Sequence, residues 1–527
     1  MTYRVCIPTA GTGSRLGELT RFLNKSLVTI ANRPTLCHLI EQFPADAEFV
    51  IVLGHKGHLV REFVELAYPD RKFFFAEVSP FEGPGSGLGL SLLTCKEFLQ
   101  QPFVFVSCDT LVTEPIPAPE HNWIGYADQV ADIRPYRTVA VAGGRVSDIV
   151  EKNQSGSESR FAYIGLCGVC DYRTFWDAME SDGPAAIETG EAHGLRALLP
   201  GGVTAHAFTW FDTGNPAALA KARKAYAEPD SPNILEKANE AIWFVGDQVV
   251  KFSDDEKFIA NRVKRVAQLK GFVPAVTASR PHMYRYGKVK GEILSETITL
   301  PLFERLLEHC QTFWQRASLD APAQAAFRAS CRKFYRDKTL ERVELFYKTF
   351  DKRDGTQPIN GVAMPTLATL LDQVDWNTLS DGIAGRFHGD FHFENILWNE
   401  TGQRFIFLDW RQDFAGNLEI GDVYYDLAKL LHGLIVNHGL IAQDCYSASW
   451  SDSRIDFDLH RRQILVECER FMAPWLTAAG YDKRKVWTLT ALIYLNIAAL
   501  HHHPYSLLLY GLGKSMLTQD TSWGDEC

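Results

Sequence analysis

His388-Gly389-Asp390-Phe391-His392-Phe393-Glu394-Asn395, followed by Phe405-Ile406-Phe407-Leu408-Asp409-Trp410, is the stretch that decides the fold of the second half of this chain. Asp390 can take a proton from a hydroxyl group and stands five residues before Asn395, an amide able to ligate a divalent cation. Asp409 closes a short apolar run that reads as a strand, where a second carboxylate can hold the same ions. Phosphoryl transfer asks little covalent chemistry of a protein. It needs a positioned hydroxyl, a group to take its proton, and cations to offset charge on the phosphate oxygens. An Asp–Asn loop and a later Asp on the next hairpin supply those parts in order.

The segment resembles the aminoglycoside phosphotransferase and choline kinase family, whose loop reads H-G-D-x-x-x-x-N and whose later motif is I-D-W or I-D-F. Gly421-Asp422-Val423-Tyr424-Tyr425-Asp426-Leu427-Ala428 is similar to that family's G-D-x-x-x-D-L-A helix start. The resemblance implies an α+β bilobal kinase-like fold, ATP as donor, Asp390 as base, and Asn395 and Asp409 as ligands of Mg2+. Upstream, Ile242–Val245 and Gln248–Phe252 predict a hairpin around Gly246-Asp247, and Lys251 stands where a kinase keeps its phosphate-binding lysine. The helix expected over 256–271 has Glu256 as its only acid, a departure from the kinase pattern that pairs that lysine with a glutamate on the following helix. A further helix is expected over 325–350. Trp398, Trp410, Tyr424, Tyr425 and Trp475 are candidates for an aromatic cage around a quaternary ammonium.

The first half has a different texture, with short apolar strands alternating with helices. Tyr3–Pro8 reads as a buried strand and runs into Thr9-Ala10-Gly11-Thr12-Gly13-Ser14-Arg15. Glycines there let backbone N–H groups approach phosphate oxygens, and Arg15 adds a forked cation. Lys25 follows at a distance that could serve the same phosphates. The dinucleotide fingerprint fails, because the third glycine is displaced to Gly17 and no acid ends the second strand. A P-loop fails for want of Gly-Lys-Ser/Thr.

This segment resembles the sugar-phosphate and phosphocholine nucleotidyltransferases, whose signature is A-G-x-G-[ST]-R, a spacer, then P-K-x-L. Ala10 to Arg15, Lys25 and Leu27 match, and Asn24 stands where the family has Pro. Gly83–Leu90, with Gly85 and Ser86, is similar to its nucleobase-reading loop. The resemblance implies a Rossmann-like α/β mixed sheet. It makes Ala10, Gly11, Gly13, Ser14, Gly85 and Ser86 nucleotide-binding, and Arg15 and Lys25 catalytic. Asp109 and Asp212 become metal ligands, and Lys152 of Glu151-Lys152 holds the acceptor phosphate.

The chain has 527 residues, 46% hydrophobic and 22% charged, enough for two or three domains. A net charge of -10 argues against nucleic acid as a partner. No apolar run is long enough to span a bilayer, and the 11 scattered cysteines suit a reducing cytoplasm. Cys167-Gly168-Val169-Cys170 has metal-like spacing, but it lies in an apolar strand and reads as core. Two prolines and two acids in Ala227–Asn233 mark a linker, dividing a nucleotidyltransferase domain at 1–226 from a kinase domain at 234–527.

The expectation is a bifunctional enzyme. One half phosphorylates a small hydroxylated metabolite with ATP, and the other couples that phosphate to an NMP, with CTP favoured. Its product would serve bacterial surface glycans. A sugar 1-kinase joined to a sugar-1-phosphate nucleotidyltransferase is the alternative. A non-catalytic, nucleotide-sensing kinase-like domain is the reading from another class. The oligomeric state is left open.

Overall fold

The computed structural model describes residues 3–154, 160–228, 237–518 and 523. The chain packs as two compact units, Met1–Ile259 with Val276–Lys288, and Ala260–Ala275 with Val289–Cys527. Of the linker expected over 227–233, residues 229–233 lie outside the described ones.

The first unit is built on nine strands: β1 (Arg4–Pro8), β2 (Glu48–Leu53), β3 (Phe73–Glu77), β4 (Phe103–Val106), β5 (Trp123–Ala127), β6 (Thr138–Ala142), β7 (Arg145–Val150), β8 (Arg160–Val169) and β9 (Thr204–Ala207). Their order is β3-β2-β1-β4-β8-β5-β9-β7-β6. The β3, β2, β1 and β4 strands run parallel, and β8 pairs antiparallel to β4. Val5, Cys6 and Ile7 are fully buried, because β1 has a parallel strand on each edge. That is why it reads as an unbroken apolar run rather than an alternation. The carboxyl ends of β1 and β4 release the chain into Thr9–Arg15 and Ser107–Asp109, the edge where open α/β sheets bind ligands.

A second, antiparallel sheet belongs to the same unit: β10 (Glu240–Val245), β11 (Gln248–Ser253), β12 (Val276–Arg280) and β13 (Met283–Gly287), in the order β10-β11-β13-β12. Gly246 takes a positive φ of 55° in the expected hairpin turn. This sheet packs on the helix α1 (Gly57–Ala67). Trp243 is fully buried with its ring 5.2 Å from that of Phe63, and its Nε1 donates to Thr29 Oγ1 at 2.9 Å. The His282 backbone N–H and Nδ1 both meet the Glu62 carboxylate at 3.0 Å. Division by packing therefore differs from division by sequence, for the sheet carrying Lys251 shares a core with the first 226 residues.

The second unit holds a three-stranded sheet, Glu292–Ile293, Ile396–Asn399 and Arg404–Phe407, and a largely helical remainder. The helix expected over 256–271 is α4 (Glu256–Arg265) and stops earlier, α2 (Leu88–Cys95) and α3 (Gly183–Thr189) being helices of the first unit. The helix expected over 325–350 runs unbroken from Ala321 to Phe350, as α5 (Ala321–Arg332) and α6 (Lys338–Phe350) joined through a π-turn at Lys333–Asp337. Every residue of α7 (Val423–Ile435) is buried, so it is the central helix, with α8 (Lys483–Ala498) against it. Among the described residues no helix is long and apolar enough to cross a membrane. All described cysteines are free, and Cys167 sits in the core.

Candidate active sites

The first site forms where the loop after β1 meets the turn after β4. Gly13 has φ 66°, and a Cβ there would lie 2.8 Å from Lys25 Cβ, so the loop rests directly on the lysine segment. A Cβ on Gly11 would come 3.9 Å from Lys25 Cε. Asn24 is fully buried and replaces the family's Pro with four hydrogen bonds. Its Nδ2 donates to the carbonyls of Thr9 at 2.9 Å and His55 at 2.7 Å, while its Oδ1 accepts from Ser26 N at 2.9 Å and Ser26 Oγ at 2.8 Å. The clamp aims Lys25, whose Nζ donates to Asp109 Oδ2 at 3.0 Å.

The strand Trp210–Asp212 pairs with Thr110–Val112, with Asp212 opposite Thr110, and this sets Asp212 beside Asp109. A methyl group on Gly214 would lie 3.0 Å from Asp212 Oδ1, 3.1 Å from Asp109 Oδ2 and 3.1 Å from Arg15 Nη2. Two carboxylates and a guanidinium thus face one point. Burial works against the Asp109 charge, but Lys25 and the Ser107 hydroxyl outweigh it and hold its carboxyl at about 2. Burial pushes Asp212 above the usual carboxylate range. The Gly214 N–H opposes that rise and the neighbouring Asp109 adds to it. Paired carboxylates of this kind suit a hard divalent cation. Tyr136, whose OH donates to Asp212 Oδ2 at 3.3 Å, is a neighbour that the sequence did not point to.

Gly85 takes φ 83°, and Ser86 Oγ donates to Gly83 O at 2.6 Å in the loop before α2. Gly89 is required there for packing, since a Cβ would come 1.8 Å from Ala186 O of α3. Glu151 is held by Arg137 and Arg196, which leaves the neighbouring Lys152 exposed in the turn after β7. No described contact joins Lys152 to Asp109 or Asp212. Lys251 is buried on β11, opposite Tyr284 of β13. Glu256 lies 3.5 Å from His282 Nε2.

The second site is the loop His388–Asn395. His388 is wholly buried, and burial brings its imidazole down to about 3, so it is neutral. Its Nδ1 accepts from Asp390 N at 3.2 Å and its Nε2 donates to Leu408 O at 2.7 Å. The histidine thereby ties the loop to the strand that delivers Asp409. Asp426, fully buried in α7, accepts from the backbone N–H groups of His388 and Gly389, each at 2.6 Å, and from Trp314 Nε1 at 3.1 Å. Gly389 has φ 89°, and a Cβ there would lie 2.5 Å from Arg411 Cβ.

Asp390 Oδ1 meets Lys429 Nζ at 2.7 Å. Burial opposes its charge, yet Lys429 and His392 keep the carboxyl well below the ordinary range. Asn395 Nδ2 donates to Asp390 O at 2.9 Å and contacts His392 Nε2 at 3.1 Å, which leaves Oδ1 as the atom available to a cation. Asp409 has φ 57°, an uncommon value for a residue with a side chain, and its Oδ1 lies 3.5 Å from Arg262 Nη1. Of the expected cage residues, Tyr424 and Trp475 both pack on the Tyr481 ring, and Tyr425 packs on Phe334. Trp410 donates to Arg262 O at 3.0 Å, Arg305 covers Trp398 at 4.9 Å, Lys485 covers Tyr424 at 4.5 Å, and Trp475 stacks on Tyr481 at 6.0 Å. Lys429 was not singled out from sequence, although it lies one helical turn beyond Asp426 and shares its face.

Residues 306–461 match the phosphotransferase enzyme family, APH. The phosphotransferase match takes in Asp390, Asn395, Asp409 and Lys429, and begins beyond Lys251. The N-terminal region is similar to nucleotidyltransferases. One relative is the CMP-5'-(3-aminopropyl)phosphonate synthase of Streptomyces rubellomurinus, 32% identical over 163 residues, 29% of this chain and 26% of that protein. Another is a low-salt glycan biosynthesis nucleotidyltransferase of Haloferax volcanii, 26% identical over 42% of this chain and 65% of that protein. The chain thus spans less than two thirds of the length of either relative. Among solved structures, UDP-glucose pyrophosphorylase from Acinetobacter baumannii aligns at 18% identity over 44% of this chain and 96% of that one, TM-score 0.36. CTP:phosphocholine cytidylyltransferase from Streptococcus pneumoniae aligns at 14% over 43% and 99%, TM-score 0.34.

Proposed function

We propose that this chain is a bifunctional enzyme that phosphorylates a small hydroxylated metabolite with ATP and then transfers an NMP onto the new phosphate. In the first step the substrate hydroxyl oxygen bonds to the γ-phosphorus, the bond to the bridging oxygen breaks, ADP leaves, and Asp390 takes the proton. In a loose transition state that proton moves late, so a strongly acidic but well-oriented Asp390 suffices. In the second step an oxygen of the phosphorylated product bonds to the α-phosphorus of an NTP and pyrophosphate leaves. No base is needed, because the attacking phosphate is already ionised. Arg15 and Lys25 offset charge on the α- and β-phosphates, Lys152 receives the acceptor phosphate, and Lys251 is assigned to the ATP phosphates by resemblance.

Mg2+ is the proposed cation at both sites. Asp109 and Asp212 would hold it in one, Asn395 Oδ1 and Asp409 in the other, and it would neutralise phosphate oxygens. CTP is the favoured second nucleotide, supported by the CMP product in one relative's name. A cytoplasmic location and a role in bacterial surface glycans, such as capsule, belong to the same proposal.

The observation that carries this reading is the convergence of Asp109, Asp212 and Arg15 on Gly214, in a chain whose Asp390 is held ready by His388 and Lys429. The test is a pair of variants. Asp109→Ala should accumulate the phosphorylated intermediate, Asp390→Asn should fail to form it, and mixing the two should restore the nucleotide-linked product. If the phosphoester from one variant is not used by the other, the two reactions serve separate ends.

A further inference from the structure

A cavity of about 200 Å³ opens beside Asp390, lined by Lys338, Arg342, Arg411 and Lys429 and by no carboxylate. Lys429 spans the distance, since its Nζ is 2.7 Å from Asp390 Oδ1 while the same side chain lines the cavity. That contact neutralises Lys429 alone. Among the described residues, Lys338, Arg342 and Arg411 form no ion pair with a carboxylate. Lys338 and Arg342 are one turn apart on α6, so both project from the same face. The π-turn ahead of α6 contributes Phe334 and Tyr335 to the same wall.

A quaternary ammonium would need open aromatic faces here. Instead, Lys338 Nζ lies 4.4 Å from the Phe334 ring centre and Arg411 Cζ lies 5.0 Å from it, so protein cations already hold that ring. Burial, with Arg411, Arg342 and Lys429 nearby, brings the Lys338 ammonium down to about 7, although Asp390 acts the other way. One acceptor atom waits as well. Asn496 Nδ2 is used by Thr339 Oγ1 at 2.6 Å and Leu492 O at 2.7 Å, whereas its buried Oδ1 has no hydrogen-bond partner. It can accept from a hydroxyl or amine of a ligand that fills the cavity.

We infer that the kinase acceptor is an anion: a small alcohol that also carries a carboxylate, phosphonate or phosphate group, seated on Lys338, Arg342 and Arg411 with its hydroxyl toward Asp390. This rests on the kinase reading above and names its substrate class. The acid group would meet two guanidinium forks and an ammonium, the donors that bind such groups best. Cationic amino alcohols would be repelled from the same cavity.

Two measurements on the full chain test this. ADP release is followed with matched acceptors: 3-hydroxypropylphosphonate, 3-hydroxypropanoate, 1-propanol and choline. Separately, calorimetry follows binding of methylphosphonate, which has no hydroxyl to phosphorylate. The anionic alcohols should be turned over at least 10-fold better in kcat/KM than 1-propanol or choline. Lys338→Met and Arg342→Gln should each raise the acceptor KM by 10-fold or more, weaken methylphosphonate to match, and leave the KM for ATP unchanged. Methylphosphonate should compete with the acceptor. Preference for choline or 1-propanol would overturn the inference while leaving the kinase reading intact. So would a rise in the KM for ATP alone, because the cations would then serve the nucleotide. If no alcohol is phosphorylated but methylphosphonate still binds in a Lys338- and Arg342-dependent way, the anion site stands and the kinase reading falls. If methylphosphonate binds neither the parent nor the variants, there is no anion site.

Discussion

Asp390 is bracketed by a neutral histidine that fixes its backbone and a charged lysine that fixes its carboxylate. Replacing Asp390 by Asn keeps the shape and removes the proton acceptor. ADP formation should fall by roughly 100- to 10,000-fold while pyrophosphate release from a pre-phosphorylated acceptor is unchanged. Coupled assay of the two products checks both halves of that statement. Lys338 makes the opposite point, that a functional charge can cost stability. Its pKa falls from an ordinary value near 10.4 to about 7 in the fold, through burial and through Arg411, Arg342 and Lys429, with Asp390 acting the other way. Between those values the unfolded chain binds a proton that the folded chain does not, so this group's contribution to stability improves as pH rises through that window. Below about 7 the penalty is complete. Lys338→Met should therefore be more stable than the parent at pH 6, with the gap closing toward pH 10. A thermal melt series across pH reads this directly, and a gap that widens with pH would refute it.

At the scale of elements, the loop between β1 and Lys25 was legible because its chemistry forces its composition. Only glycine tolerates the left-handed turn at Gly13 with Lys25 pressed beneath it. The departure at Asn24 was legible as a departure but not as a solution, since its four hydrogen bonds go to partners as distant as His55. The π-turn in the helical stretch over 325–350 left no mark in the periodicity, and the aromatic cage was read from composition near a motif. Ring faces are three-dimensional, and here Arg305 and Lys485 occupy two of them. Gly214 offers the sharpest test of an element. It stands two residues after Asp212, just beyond the strand, and a methyl group would press on Asp212, Asp109 and Arg15 together at 3.0 to 3.1 Å. Gly214→Ala should lower pyrophosphate formation by roughly 100-fold or more, the size seen when one preorganised charge-stabilising contact is lost. ADP formation should be untouched. A variant with parental pyrophosphate release would show that the carboxylates do not act at that point.

Across the whole molecule, the order of the motifs was readable and the packing between sheets was not. A linker announces itself by proline and charge, whereas a shared core is visible only once Trp243, Val250, Phe252 and Met283 are seen to join the hydrophobic cluster of the first sheet. Periodicity tells which face of a strand is buried, not what buries it. The sheet of β10–β13 is therefore mechanically tied to the first half of the chain by Trp243, Glu62 and Glu65. This separates two expectations. If the sheets were independent, damage to Trp243 would affect only phosphorylation. With a common core, Trp243→Ala removes a fully buried indole and its hydrogen bond to Thr29, a loss of roughly 3–5 kcal/mol. In a unit of this size that lowers Tm by on the order of 10 °C. Pyrophosphate formation should then be lost at a correspondingly lower temperature, although Trp243 lies outside residues 1–226. Heating parent and variant in parallel, with pyrophosphate release assayed after each step, decides the matter. Inactivation of that activity at the parental temperature would mean that the two sheets melt separately and that their shared core contributes nothing to the transferase.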